Sequence, residues 1–181
     1  MTENPSTWRQ VRAILQLPVA VTVLVPGCLL LVGRGRVAAH WPPSWISWPL
    51  GAALLLAGLW LMVTTIRLFA RVGGGTLAPW DHTTRLVVAG PYRYVRNPMI
   101  AGVFAVLLSE SLLFSSVAVL LWFCGFVVVN LLYMHSSEEP ALRRRFGADY
   151  DTYADNVPGW IPRLTAWDPP PDMRARNSDP A

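Results

Sequence analysis

The sequence predicts an all-α integral membrane protein with about four transmembrane helices. Three observations lead there. The 181-residue chain is 53% hydrophobic and only 14% charged, well outside the profile of a soluble globular protein. Its apolar residues form runs of membrane-spanning length. Arginines, and the cluster Trp41, Trp45 and Trp48, sit beside those runs, as interfacial residues do.

The net charge of +4 comes from a basic set that is all arginine. Beside apolar spans such charge sets topology and meets anionic lipid, so membrane lipids are the expected partner and nucleic acid is not. Cys28 and Cys124 lie inside apolar runs and are expected to be small packing residues. They form no disulfide framework, and no metal-ligand spacing occurs. The N-terminus lacks a basic n-region and a small-residue cleavage site, so the first apolar run is expected to be a retained helix.

The first span is expected over about Ala13 to Val32, kinked at Pro18 and Pro26. A short connection with Arg34, Arg36, His40 and Trp41-Pro42-Pro43 comes next. The second span covers about Pro49 to Ala70, with Gly51 and Gly58 small enough for close helix approach. Val72 to Asn97 is the longest polar connection and opens with Gly73-Gly74-Gly75, which makes no P-loop because no Gly-Lys-Ser/Thr comes after it. Asp81 and His82 read as a solvated pair. Met99 to His135 is apolar over 37 residues, too long for one span, and its polar break predicts a hairpin with its tip near Ser115. Most arginines then fall on one side of the membrane, which puts both termini in the cytoplasm.

Beyond the hairpin, Glu138 to Asn156 predicts an amphipathic cap helix with Leu142, Phe146, Tyr150 and Tyr153 on one face, breakable at Gly147. Val157 to Arg163 is extended and bounded by prolines. Residues 1–72 thus read as a two-helix scaffold, 73–163 as the functional core, and 164–181 as a disordered, Pro- and charge-rich tail.

Two polar segments flank the hairpin. In the first, Tyr92, Arg93, Tyr94, Arg96 and Asn97 gather donors and aromatic faces at a span's entrance, and Pro98 suits the first helical position. The amides just after it would be open to a carboxylate or phosphate, although a headgroup anchor would look the same. In the second, the adjacent carboxylates Glu138 and Glu139 repel each other unless a cation offsets them; Arg96, Arg93 or a cationic ligand would serve. At helical spacing Asn130, Met134 and Glu138 share a face and are candidate substrate contacts. His135 beside them and Glu139 are the candidate bases. Glu110, an ionisable residue inside the third span, is a further substrate-site candidate, or a side chain snorkelling to the far interface.

Gly90-Pro91-Tyr92, Arg96-Asn97-Pro98 and, after the hairpin, Glu138-Glu139-Pro140 with Leu142, Phe146-Gly147, Tyr150, Tyr153, Val157-Pro158 and Ile161-Pro162 beyond it resemble the isoprenylcysteine carboxyl methyltransferase family. The likeness covers roughly Gly75 to Arg163 and is greatest to the bacterial members, which shade into phospholipid N-methyltransferases. It implies a multi-pass enzyme of the bacterial inner membrane that uses S-adenosylmethionine on a lipophilic or small apolar methyl acceptor. By position, the cofactor contacts would be Thr84, Arg85, Leu86, Val87, Tyr92, Asn97, Pro98, Met99, Ile100 and Glu138, with Arg96 of the same motif counted among them. The eukaryotic carboxyl methyltransferases carry His at the place of Asn97, Tyr at that of Ile100 and a substrate-binding Arg at that of Met134. Those departures put a prenylcysteine carboxylate in doubt. The alternatives are an NADPH-dependent reductase of the sterol type and a non-catalytic membrane partner protein.

Overall fold

The computed structural model describes residues 18–33, 43–72 and 86–178, with side chains at 18–33, 43–68 and 86–174. Among these residues every regular element is helical. The Gly73-Gly74-Gly75 run, Asp81, His82, and the expected cofactor contacts Thr84 and Arg85 lie outside the described residues.

Helix α1 (Ala20–Val32) is short and apolar. It opens as a wide π turn, Ala20–Leu24, in which the Val25 amide reaches back to the Ala20 carbonyl. Pro26 comes at once after it; it has no amide to give Thr22, and the wide turn accommodates that loss. Helix α2 (Ser44–Val72) starts one turn before the expected boundary, because Ile46 and Ser47 both donate to the Pro43 carbonyl and coil the chain ahead of Pro49.

Helix α3 (Pro98–Leu113) begins at the expected proline. It turns at Phe114–Ser116, with Ser115 in the left-handed region (φ 47°), into helix α4 (Val117–Tyr133), where the Ser116 hydroxyl accepts from the Val119 amide. α4 runs on through a second π turn, Met134–Glu138, into α5 (Glu139–Phe146). Gly147, at φ 53°, then breaks the chain into α6 (Ala148–Asn156). The expected single cap helix is therefore two, and its first half continues the membrane helix. A last helix, α7, spans Pro171–Ser178.

α2 and α3 pack antiparallel at very close range. A Cβ on Gly58 would stand 2.7 Å from the Gly102 carbonyl oxygen, one on Gly102 2.9 Å from that of Gly58, and one on Gly51 2.8 Å from Leu113. α4 closes on α3 through Phe104, whose ring meets Phe123 and Phe126 edge-on at 6.2 and 6.0 Å. α1 leans on α4, where the Trp122 indole donates to the Val21 carbonyl at 3.2 Å.

Ser44–Leu68 and the continuous rod Val117–Phe146 are long and apolar enough to cross a membrane; α1 and α3 are shorter. At about 1.5 Å per residue α3 covers only about 24 Å. The outer surface is apolar, with Trp48, Leu56, Trp60, Leu121, Val129 and Leu132 exposed. Cys28 and Cys124 are exposed on it too. They are surface residues of the apolar helices and not the interior packing residues expected.

At the end of the bundle where α2 finishes and α3 begins, Leu86, Tyr150, Tyr153, Val157 and Met173 form a separate core, with Leu142, Phe146 and Trp167 packed against it. Met173 corrects the expectation of a disordered tail. The chain after Trp167 folds back, and its one large apolar side chain fills the cap.

Candidate functional site

The 3₁₀ turn Gly90–Arg93 delivers Tyr94 to Asn97 to the mouth of α3, and a strap, residues 158–167, is laid along it by backbone bonds. The Arg96 amide donates to Pro158 O (2.9 Å), the Arg163 amide to Tyr94 O (3.0 Å) and the Trp167 amide to Arg93 O (2.9 Å). The Asn97 side chain, which would ordinarily cap α3, donates instead to Gly159 O at 3.2 Å and makes no cap bond. The first intrahelical bond of α3 is Ala101 N to Asn97 O, so the amides of Met99 and Ile100, both half-buried, face the end of the helix.

Against this mouth stands α5. Arg96 Nη1 meets Glu139 Oε1 at 2.8 Å and donates to the Tyr150 hydroxyl at 3.1 Å. The pair is largely shielded, with 16% and 23% of the two side chains exposed. Arg96 Nε is buried with no hydrogen-bond partner among the described residues, a donor normally satisfied at such depth. Gly159 lies against the guanidinium, where a Cβ would come within 3.4 Å of Nη2. Arg93, the other expected partner of the carboxylates, turns away to Asp168 and the Trp167 carbonyl.

The two glutamates therefore divide. In a straight helix Glu138 would share the face of Asn130 and Met134. The π turn inserts an extra residue: the Glu139 amide bonds Met134 O, five residues back, which swings Glu139 toward the buried face of Met134 and onto Arg96. Glu138 is left half-buried on the flank, hydrogen-bonded to the Tyr133 side chain. The Asn130 amide is used within its own helix, on Phe126 O at 2.8 Å. The face expected from α-helical spacing is thus broken.

His135 is exposed on the π turn. Leu86 belongs to the cap core, with Val87 half-buried beside it. The Tyr92 carbonyl accepts from the Tyr153 hydroxyl at 2.7 Å, and Pro98 is buried at the start of α3. Glu110 lies in the last turn of α3, about 18 Å from Pro98 by helical rise, with one carboxylate oxygen buried and unpartnered among the described residues. It is at the other end of the helix from Arg96 and is not brought to the same place.

Burial pushes the phenols of Tyr92, Tyr150 and Tyr153 above their ordinary value; at Tyr150 the Arg96 guanidinium opposes that rise. These hydroxyls act as neutral hydrogen-bonding groups. The sequence did not single out Tyr150 as an Arg96 partner, nor Gly159 and Trp160, whose indole stacks on Phe104 at 5.5 Å and 22°. In the sequence Tyr150 belongs to an apolar stripe and to the family-like motif, Gly159 and Trp160 to a proline-bounded stretch.

A bundle of apolar helices closed at one end by a tied-down polar cap, with an ion pair enclosed where the two meet, is the arrangement of a membrane-associated protein. Comparison supplies the family: residues 46–149, more than half of the chain, match the family model described as phospholipid methyltransferase, and the chain belongs to that family. It is thus a methyltransferase-family protein of the membrane. The match begins inside α2 and ends inside α6. No curated protein and no solved structure matches the chain. Among the described residues no group of side chains is arranged to hold a metal ion.

Proposed function

We propose that the chain is an S-adenosylmethionine-dependent methyltransferase that modifies a lipophilic or small apolar acceptor at the cytoplasmic face of a membrane. The observation that carries this reading is the shielded Arg96–Glu139 pair at the uncapped start of α3, with its orphaned Nε. The methyl donor has a carboxylate, an ammonium and a sulfonium, and the residues present fit all three. The Met99 and Ile100 amides and Arg96 suit the carboxylate. Glu138, not committed to an arginine, suits the ammonium, and the aromatic rings nearby suit the sulfonium.

When bound, the donor would supply an electrophilic methyl group for a lone pair of the acceptor, its S–CH3 bond breaking to leave the neutral thioether S-adenosylhomocysteine. The protein's contribution is positional. Glu139 fixes the Arg96 guanidinium, the Pro158 and Gly159 carbonyls fix the loop that carries it, and the cap core closes the cytoplasmic end to water. An acceptor that must lose a proton would find Glu139 or His135 nearest. Glu139 is already bound to Arg96, and His135 stands in the open. The arrangement therefore suits an acceptor nucleophilic without deprotonation, and Met134 offers no cationic partner to an acceptor carboxylate. The arginine distribution supports four spans with both termini cytoplasmic.

The test is calorimetry in detergent with S-adenosylmethionine and S-adenosylhomocysteine, on wild type and Glu138→Gln. Micromolar binding, weakened about tenfold by loss of one charge-assisted bond, is the expected result. A folded wild type that binds neither ligand overturns the proposal.

A further inference from the structure

The strap carries a second, unexplained feature. Ile161 is 80% exposed and Leu164 fully exposed, yet their backbone is not loose. Arg163 and Trp167 are bonded to Tyr94 and Arg93, Pro158 and Gly159 to Arg96 and Asn97, and Pro162 limits what lies between. The Arg163 side chain is turned back to the Asn156 carbonyl at 2.7 Å. Two large aliphatic side chains are thus held outward on a rigid backbone.

The Trp160 contact beside them points to what covers them. Trp160 stacks on Phe104, six residues into α3 and so about 9 Å along the helix from Pro98. Phe104 in turn packs on α4, so the indole lies at the level of the apolar hairpin. Ile161 is the next residue, between the Gly159–Asn97 and Arg163–Tyr94 bonds. Leu164, beside the Arg163–Tyr94 bond, sits toward the mouth of α3. Leu131, Leu132 and Tyr133, near the end of α4, are exposed apolar side chains as well. A depth of about 5–10 Å is where interfacial segments place their apolar side chains, and there the unpaired backbone of an irregular strap still reaches water.

We infer that the strap is an interfacial anchor: Ile161 enters the acyl boundary of the leaflet on the cap side, Leu164 rests at headgroup level, and the lipid holds the strap that positions Arg96 and Asn97. The occupant is bilayer lipid. The inference rests on the fold and its membrane setting, and stands or falls independently of methyl transfer.

An environment-sensitive fluorophore is attached in turn to Ile161→Cys, Leu164→Cys and Asp155→Cys, the last exposed on α6, in a Cys28→Ala, Cys124→Ala background of the full chain. Each protein is placed one copy per lipid nanodisc, with nitroxides on the headgroup or high on the acyl chain. The position-161 probe should be blue-shifted and quenched most by the acyl-chain nitroxide, the 164 probe most by the headgroup nitroxide, and the 155 probe by neither. Spectra and quenching at 161 that match those at 155 overturn the anchor. So does shielding at 161 that appears only when two copies share a disc, since a second chain would then be the cover.

Discussion

At the scale of single residues, Glu138 and Glu139 are neighbours with different work, and one hydrogen bond separates them. The amide of Glu139 reaches Met134 O, not the carbonyl four residues back. Sequence spacing identifies the two carboxylates and offers Arg96, Arg93 or a cationic ligand as the partner, because charge at an apolar helix end demands one. It cannot tell which carboxylate is used, since a 3.6-residue period is assumed and the wide turn does not obey it. Glu139→Gln removes the counter-charge of a shielded guanidinium and should destabilise the fold by about 2–3 kcal/mol, somewhat below the cost for a fully buried pair. Glu138→Gln should cost well under half of that. Thermal melts in detergent check this, and equal losses from both would show that the pairing is misassigned.

Among the elements, the crossing of α2 and α3 is the tightest contact. Gly58 and Gly102 let the two backbones touch, as small residues do in membrane packing. Gly58→Val should lower stability by about 1–3 kcal/mol through overcrowding, whereas Gly125→Val, where a Cβ meets nothing within 4 Å, should leave the melting temperature nearly unchanged. A comparable loss from both would mean that the crossing is not what the substitution disturbs. The hairpin was readable from sequence because an apolar run of 37 residues has nowhere to turn except at its serines. The ordered tail was not. A single methionine in a Pro- and Asp-rich stretch carries no periodic signal, and only the strap's return across Arg93 brings Met173 onto Tyr150 and Tyr153.

For the molecule as a whole, the cap is held by contacts far apart in sequence: Arg93 to Asp168, Tyr92 to Tyr153, Arg96 to Tyr150. Three of the tyrosines involved have phenols raised above 10.0 by burial. The folded chain keeps these protons at a pH where the unfolded chain releases them. Their contribution is therefore complete below about pH 10 and lost as pH climbs beyond it. Melting temperature should be flat from neutral pH to about 10 and then fall. Tyr153→Phe should flatten that fall, and an unaltered profile would remove the buried phenol as its cause. Membrane class and polar motifs were visible in composition and spacing, but the register of strap against loop depends on long-range closure that no local pattern encodes.

The turn at Met134–Glu138 also bears on how many residues the chain needs between its membrane helix and its ion pair. A wide turn stores one residue more than a straight helix of the same length, so shortening it by one should tighten it without rotating α5. Deleting Ser137, which is exposed, should leave Glu139 opposite Arg96 and the melting temperature close to that of the full chain. The same deletion at Thr152 in α6 should misalign Tyr153 and unfold the cap. A collapse on losing Ser137 would refute this. The loose turn is thus a slot where length can vary by one while the carboxylate stays at its post.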